Sequence, residues 1–320
     1  MTLAAGTRDS GAGSKTEPAP CPLRRIALVV NEAAGTASST DMSVLEERVK
    51  QTLRETEVSV VSVTPQNLDA AFDDAFAQEP DAVVVFGGDG TARAAAKRAL
   101  TTQVPIAPLP GGTMNVLPRL VFGHADLAKA IQDLPTCRLT GLDTGIVGGE
   151  PFFLSAAFGF AGPLARFRES MRPPRRFREV VSSAFTCMRA LGPSLRGGIK
   201  WRRAGAKWHH AQTLVVALGT LERVLTPEEE EMHTGERLQA AALRLKSFLD
   251  VAKLGGDAVR LRDWRELNQL TLVSARRIEL HLRSKRALSV LDGEPVRLSH
   301  ATEITVNEGA LPVLAVRPDA

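Results

Sequence analysis

Gly87-Gly88-Asp89-Gly90-Thr91 sets one carboxylate among three glycines and a hydroxyl, directly after the apolar run Ala82–Phe86. The run reads as a buried strand, and the alanine-rich stretch from Thr91 to Leu100 reads as a helix. Glycines at such a junction permit positive φ and let a ligand approach the backbone. A helix start offers free N–H groups to phosphate oxygens. An aspartate there would repel a phosphate unless Mg²⁺ lay between them, since Mg²⁺ takes one or two carboxylates together with phosphate oxygens and water. The blander reading makes Asp89 an ordinary helix N-cap.

A second loop has the same design. Pro110-Gly111-Gly112-Thr113-Met114-Asn115 follows the short apolar run Val104–Leu109 and precedes a helical turn. Together the two loops describe a nucleoside triphosphate cradle that lacks a Walker sequence. The early Gly11-Ala12-Gly13-Ser14-Lys15 is no substitute, because Ser rather than Gly precedes its Lys and no strand leads into it.

These loops need a frame to hold them. Arg25–Val30, Val58–Val63, Ala82–Phe86 and Val104–Leu109 read as strands. Met42–Arg54, Leu68–Phe76 and Thr91–Leu100 carry apolar residues at helical spacing. Such alternation predicts a parallel sheet with helices on both faces. Ligands bind at the carboxyl ends of strands in sheets of this kind. Asn31, Thr64 and the two glycine loops all follow strand ends.

The pattern changes near residue 137. Arg138–Val147, Pro151–Ala157, Gln212–Leu218, Gln269–Val273, Arg277–Leu282, Ala287–Leu291, Glu303–Val306 and Pro312–Val316 read as strands of a mainly antiparallel domain. Helical insertions are expected near 176–191 and 228–253. The second opens on Glu228–Glu231, where carboxylates suit the positive end of a helix. Residues 1–23 are rich in Gly, Ser, Thr and Pro, lack the apolar centre of a secretory signal, and read as a disordered tail. The expected division is therefore a tail (1–23), an α/β nucleotide-binding domain (24–137) and a β-rich domain (138–320) whose last strand returns to the first.

The 320 residues carry a net charge of +4, and 44% are hydrophobic, which suits a globular chain of two domains. No apolar run reaches the roughly 20 residues that span a bilayer. Cys21, Cys137 and Cys187 lie too far apart for a disulfide framework or a zinc site and read as reduced thiols of a cytoplasmic protein. Charge concentrates between 163 and 207, where twelve Arg and Lys residues face only Glu169 and Glu179. The stretch lacks interleaved stacking aromatics and the chain has no Tyr, which argues against nucleic acid. An anionic membrane surface fits better.

The motifs in order are Asn31-x-x-x-Gly35, Gly87–Thr91, Gly112-Thr113-x-Asn115, Asp143-x-Gly145-x-Val147 and Asp292-Gly293-Glu294. This series resembles the diacylglycerol kinase catalytic family, which includes bacterial lipid kinases, sphingosine kinases and ceramide kinases. The resemblance covers nearly the whole chain after residue 24. It implies an α/β nucleotide domain followed by a β-sandwich-like domain, with ATP in the cleft between them. Asn31, Gly35 and Thr64 would then lie near the nucleotide. Gly87, Gly88, Gly90 and Thr91 would bind phosphates, Asp89 would serve Mg²⁺–ATP, and Gly111, Gly112, Thr113 and Asn115 would close the other side. Phe152–Phe160 would help form the lipid cleft.

By the same resemblance, Asp292 would accept the proton of a lipid hydroxyl as it attacks the γ-phosphoryl group, with Glu294 as partner or substitute. Asp-Gly is also the commonest two-residue hairpin signal, and a tight turn is a good way to present a carboxylate. Diacylglycerol is the default acceptor, with ceramide or a sphingoid base next. The basic stretch would dock transiently on anionic headgroups, which makes the protein peripheral to a membrane, with a homodimer as one open assembly state.

Departures from the family pattern are specific. Its usual Glu three residues after the GGDGT threonine is Ala94, its Asp after the second-loop Asn is Val116, and its Asn-Pro after the first strand is Asn31-Glu32. The acidic Asp-Gly segment that helps hold a structural Mg²⁺ in the bacterial branch is missing around 226–235. Ala94 and Val116 keep open a nucleotide-binding regulator whose phosphotransfer has decayed; an NAD kinase-like enzyme, which shares GGDGT, is the other alternative, against which the late Asp292-Gly293-Glu294 argues.

Overall fold

The computed structural model describes residues 23–33, 42–64, 66–159, 198–219, 237–244 and 270–316. Its first half follows the alternation in the sequence. The elements are β1 (Arg25–Asn31), α1 (Met42–Thr52), β2 (Glu57–Val63), α2 (Leu68–Ala77), β3 (Ala82–Gly87), α3 (Asp89–Thr102) and β4 (Ile106–Pro110). β1 pairs in parallel with β2 and β3, and β3 pairs in parallel with β4. β3 and β4 are buried at every position, which requires cover on both faces of the sheet. Phe72 and Phe76 on α2 and Leu45 and Val49 on α1 are among the side chains that supply it.

Two short helices, α4 (Val116–Phe122) and α5 (Leu127–Asp133), follow the second glycine loop. Asp126 caps α5 by accepting the Lys129 N–H at 2.9 Å. Cys137 is buried at the end of this half, and burial, with Asp133 nearby, raises its thiol pKa to about 12.

The second half is built from β5 (Arg138–Val147), β6 (Glu150–Phe152), β7 (Ser155–Gly159), β8 (Ile199–Arg203), β9 (His209–Ala211), β10 (Thr213–Leu218), β11 (Leu238–Leu243), β12 (Leu270–Ala275), β13 (Ile278–Leu291) and β14 (Glu294–Ala315). Strand pairing runs unbroken in the order β12-β11-β10-β7-β13-β14-β4-β3-β1-β2. The expected helix over 228–253 is corrected in its described part, because Leu238–Leu243 is a strand. Its Leu-Gln-Ala-Ala-Ala-Leu sequence favours helix, but six positions pair with β10 and six with β12, and Leu238, Ala240 and Ala242 enter the core. The remainder of that segment, and the helix expected near 176–191, lie outside the described residues. The run read as one strand over Pro151–Ala157 is two, β6 and β7, split at Phe153-Leu154.

β14 belongs to both halves. Leu298 and Ile304 lie in the core of the β-rich half, whereas Leu311, Val313, Leu314 and Ala315 lie in the core of the first. Val313 pairs in parallel with Ile106 of β4. The Asp143-x-Gly145 motif serves this crossing strand. Asp143 accepts the Gly309 N–H at 2.8 Å and an ion pair from Arg237, pinning the irregularity between Asn307 and Leu311. A side chain on Gly145 would collide with the Phe152 ring.

Candidate active site

The two glycine loops meet backbone to backbone. A Cβ on Gly111 would stand 2.8 Å from the Gly87 carbonyl oxygen, and one on Gly112 would stand 2.9 Å from the Gly88 Cα. Gly87, Gly88, Gly90, Gly111 and Gly112 are all absent from the positive-φ positions. The freedom expected of these glycines is therefore not what the fold uses. It uses the missing side chains of Gly111 and Gly112 to bring the ends of β3 and β4 together, and that of Gly87 to make room for the Thr91 side chain. Gly88 is different, because its Cβ would meet nothing closer than 3.9 Å.

Asp89 ties the loops chemically. One carboxylate oxygen accepts the N–H groups of Met114 at 3.3 Å and Asn115 at 3.2 Å, and the other accepts that of Val116 at 2.7 Å. The carboxylate at the start of α3 thus satisfies donors at the start of α4. Asn115, left-handed at φ 50, closes its own loop by accepting the Gly112 N–H at 2.8 Å and donating to the Gly112 carbonyl at 3.0 Å. Asn31 reaches across from β1 to donate to the Thr91 hydroxyl at 2.7 Å. This contact lies at the carboxyl edge where the strand order turns from β1 to β3, the usual ligand crevice of an open α/β sheet.

Thr64 sits at the end of β2, where its backbone N–H and hydroxyl both donate to Asn67. Thr113 is exposed. Gly35 lies outside the described residues.

Asp292-Gly293 forms the two-residue turn between β13 and β14, with φ 51 and 87, the signature of a type I′ hairpin. The turn faces the glycine loops. A Cβ on Gly90 would stand 3.4 Å from Glu294 Oε1, and one on Gly293 would stand 4.0 Å from the Met114 sulfur. Residues more than two hundred positions apart in sequence therefore share one small volume.

The two carboxylates of the turn differ sharply. Asp292 is only 7% exposed and accepts three backbone N–H groups, from Phe153 at 2.8 Å, Leu154 at 2.8 Å and Ser155 at 3.0 Å. Burial pushes its pKa above the ordinary value of 3.8, against the pull of those donors and of Arg93. Glu294 is exposed. The sequence suggested Asp292 as the proton acceptor; Oδ1 already accepts two N–H groups, so Glu294 is the carboxylate left open toward the loops.

Sequence reasoning missed the groups behind the turn. Arg93 on α3 donates to the Pro151 carbonyl at 2.8 Å and stands 3.8 Å from Asp292 Oδ2. Lys97, four residues on, holds Glu150 at 2.6 Å. The available signal was two cations at i, i+4 on an otherwise alanine-rich helix.

The donor set fits a phosphate better than a preformed metal cage. Gly88, the N-cap of α3, carries no side chain to occupy the helix start, and Gly90 is open. No group of three or more metal-ligating side chains occurs among the described residues. A Mg²⁺ brought in with phosphate oxygens would find the remaining acceptor capacity of Asp89.

Of the basic stretch 163–207, residues 163–197 lie outside the described residues. In the described part, Arg202 pairs with Glu279 at 2.6 Å and lies over the Trp208 ring, while Lys200, Arg203 and Lys207 are exposed. No helix among the described residues is long and apolar enough to cross a membrane.

Residues 25–147 match the family model of the diacylglycerol kinase catalytic domain. The fold is similar to that of a diacylglycerol kinase structure from Bacillus anthracis strain Sterne, at TM-score 0.62 and 16% identity, covering 92% of this chain and 97% of that one. Another structure from the same organism, described as a candidate diacylglycerol kinase, aligns at TM-score 0.64 and 18% identity over 92% of this chain and 98% of the other. Residues 25–147 are thus similar to a diacylglycerol kinase catalytic domain, in agreement with the motifs from Asn31 to Val147.

Proposed function

We propose that this protein is an ATP- and Mg²⁺-dependent lipid kinase whose acceptor is diacylglycerol, with ceramide or a sphingoid base as the second choice. ATP lies against the glycine loops of the first half (24–137), and the lipid lies against the β-sandwich-like half (138–320). The observation that carries the reading is the approach of Glu294, on the Asp292-Gly293 turn, to Gly90 at the start of α3.

A lipid hydroxyl is a weak nucleophile until a base takes its proton. Glu294 accepts that proton while the hydroxyl oxygen forms its bond to the γ-phosphorus. The bond from that phosphorus to the bridging oxygen breaks, and ADP leaves with the electron pair. Backbone N–H groups at the α3 start hold phosphate oxygens through this change. Mg²⁺, when bound, would neutralise phosphate charge, held by Asp89. Asp292 acts as a positioning residue, fixing the turn through the 153–155 backbone. Exposed Lys200, Arg203 and Lys207, with the basic sequence before them, support transient docking on anionic lipid.

The test is transfer of label from γ-labelled ATP to diacylglycerol, ceramide, sphingosine and NAD in parallel. Label in one lipid, lost in Asp89→Ala and reduced at least roughly 100-fold in Glu294→Gln, is the expected result. Label in NAD would move the assignment to an NAD kinase-like enzyme. ATP binding without transfer to any acceptor would favour a decayed regulator, the reading consistent with Ala94 and Val116.

A further inference from the structure

Four charged groups run in a line across the seam between the two halves. Lys97 and Arg93 lie on α3, one turn apart; Glu150 begins β6; Asp292 ends the hairpin. Lys97 meets Glu150 at 2.6 Å, Glu150 lies 4.0 Å from Arg93, and Arg93 lies 3.8 Å from Asp292. Arg93 is 11% exposed, and its Nε is buried without a hydrogen-bond partner. A buried unpaired guanidinium N–H is costly, and here it is the atom nearest Asp292.

Arg93 carries a positive charge into the seam, and its neighbour Ala94 supplies no carboxylate to offset it. Asp292, which faces Arg93, holds the three consecutive N–H groups of 153–155. That segment divides two aromatic neighbours between the cores, with Phe152 in the β-rich half and Phe153 in the first half.

We infer that Arg93 is a positioning residue that clamps α3 to the Asp292 hairpin and thereby sets Glu294 opposite Gly90. The inference rests on the lipid kinase reading above for its kinetic consequence but not for its structural one. Arg93 is a strut between the element that opens the phosphate site and the element that carries the base. The other charged group facing Arg93 is Glu150, which Lys97 holds at 2.6 Å, leaving Arg93 to Asp292.

The experiment uses the full chain with Arg93→Met and Arg93→Lys. Hydrogen exchange at Phe153–Ser155 is measured beside that at Val83–Phe86, and kcat and KM for ATP are measured on the best lipid acceptor. In Arg93→Met we expect protection to fall at 153–155 while β3 stays protected. We expect kcat to fall roughly 10- to 100-fold with KM for ATP within about threefold of wild type, since a small misplacement of reacting groups costs about this much. Arg93→Lys keeps the charge without the fork and should recover most of kcat. Wild-type protection at 153–155 together with wild-type kcat in Arg93→Met would overturn the inference, as would an equal loss of protection throughout the protein. If Arg93→Met does not fold, Arg93→Gln, which keeps an N–H donor without the charge, decides: protection lost at 153–155 but kept in β3 supports the clamp, and wild-type protection there with wild-type kcat overturns it. A wild type inactive on every lipid would defeat the kinase reading, and the exchange measurement would still judge the clamp.

Discussion

The glycine loops and the Asp292 hairpin face each other, yet different physics holds them in place. The loops are fixed by what is missing as well as by the Asp89 carboxylate, which gathers the N–H groups of Met114, Asn115 and Val116. At Gly111 and Gly112 the backbones approach so closely that a single methyl group has no room. The hairpin is fixed by what is present: one carboxylate, buried at 7% exposure, gathers three N–H groups and a guanidinium. Steric fixation is insensitive to solution conditions. Electrostatic fixation couples the site to pH and to every charge along the seam.

The largest break in this contrast should come from Asp292→Ala. It strands Arg93 and three backbone donors in a buried place, and a loss of about 3–5 kcal/mol in a urea titration is expected. A change below about 1 kcal/mol would mean that the turn is held by its backbone alone. Asp292→Asn sharpens the same point through pH. The native chain takes up the Asp292 proton at a higher pH than the unfolded chain, because burial raises the group above 3.8. Its titration therefore costs stability as pH rises from 3.8 through the raised native value and nothing further above it. The stability of wild type relative to Asp292→Asn should decline over that window, as followed by thermal melts at a series of pH values.

Gly111→Ala comes next, with an expected cost of about 1–3 kcal/mol, because the obstacle is the Gly87 backbone and not a side chain that can turn away. Gly88→Ala is its control. Space is open there, so stability should change by less than about 0.5 kcal/mol, while affinity for an ATP analogue falls because the methyl group enters the phosphate site. Equal destabilisation by the two substitutions would refute the backbone-contact account. Asp89→Asn should cost about 1 kcal/mol, the scale of a lost helix-start acceptor, measured by the same melts. The smallest effect is at Cys137, whose buried thiol should stay unreactive toward a thiol reagent until the protein unfolds.

The strand and helix periods of the first half were legible because each buried strand is apolar along its whole length and each helix has one apolar face. Asn31, the two loops and the turn could be found because glycine, aspartate and asparagine punctuate strand ends. What the residues alone did not reveal is which groups are already engaged. Asp89 reads as a free carboxylate until Met114, Asn115 and Val116 are seen donating to it. Asp292 reads as the acceptor for the same reason, although its position beneath the 153–155 backbone leaves the open role to Glu294. Leu238–Leu243 was obscured because alanine-rich sequence favours helix locally, and only long-range pairing on both sides makes it a strand. Arg93 carried no motif, and its meaning depends on neighbours from β6 and the hairpin.

β14 has a consequence for synthesis. The α/β units of the first half leave the ribosome early, but β4 gains its outer partner only when Val313 has been made. Until then the nascent chain presents an open strand edge and lacks the apolar side chains of 311–315 that fill its core. Completion of the first half therefore waits on the last strand, and a fragment ending near residue 137 should aggregate where the full chain does not.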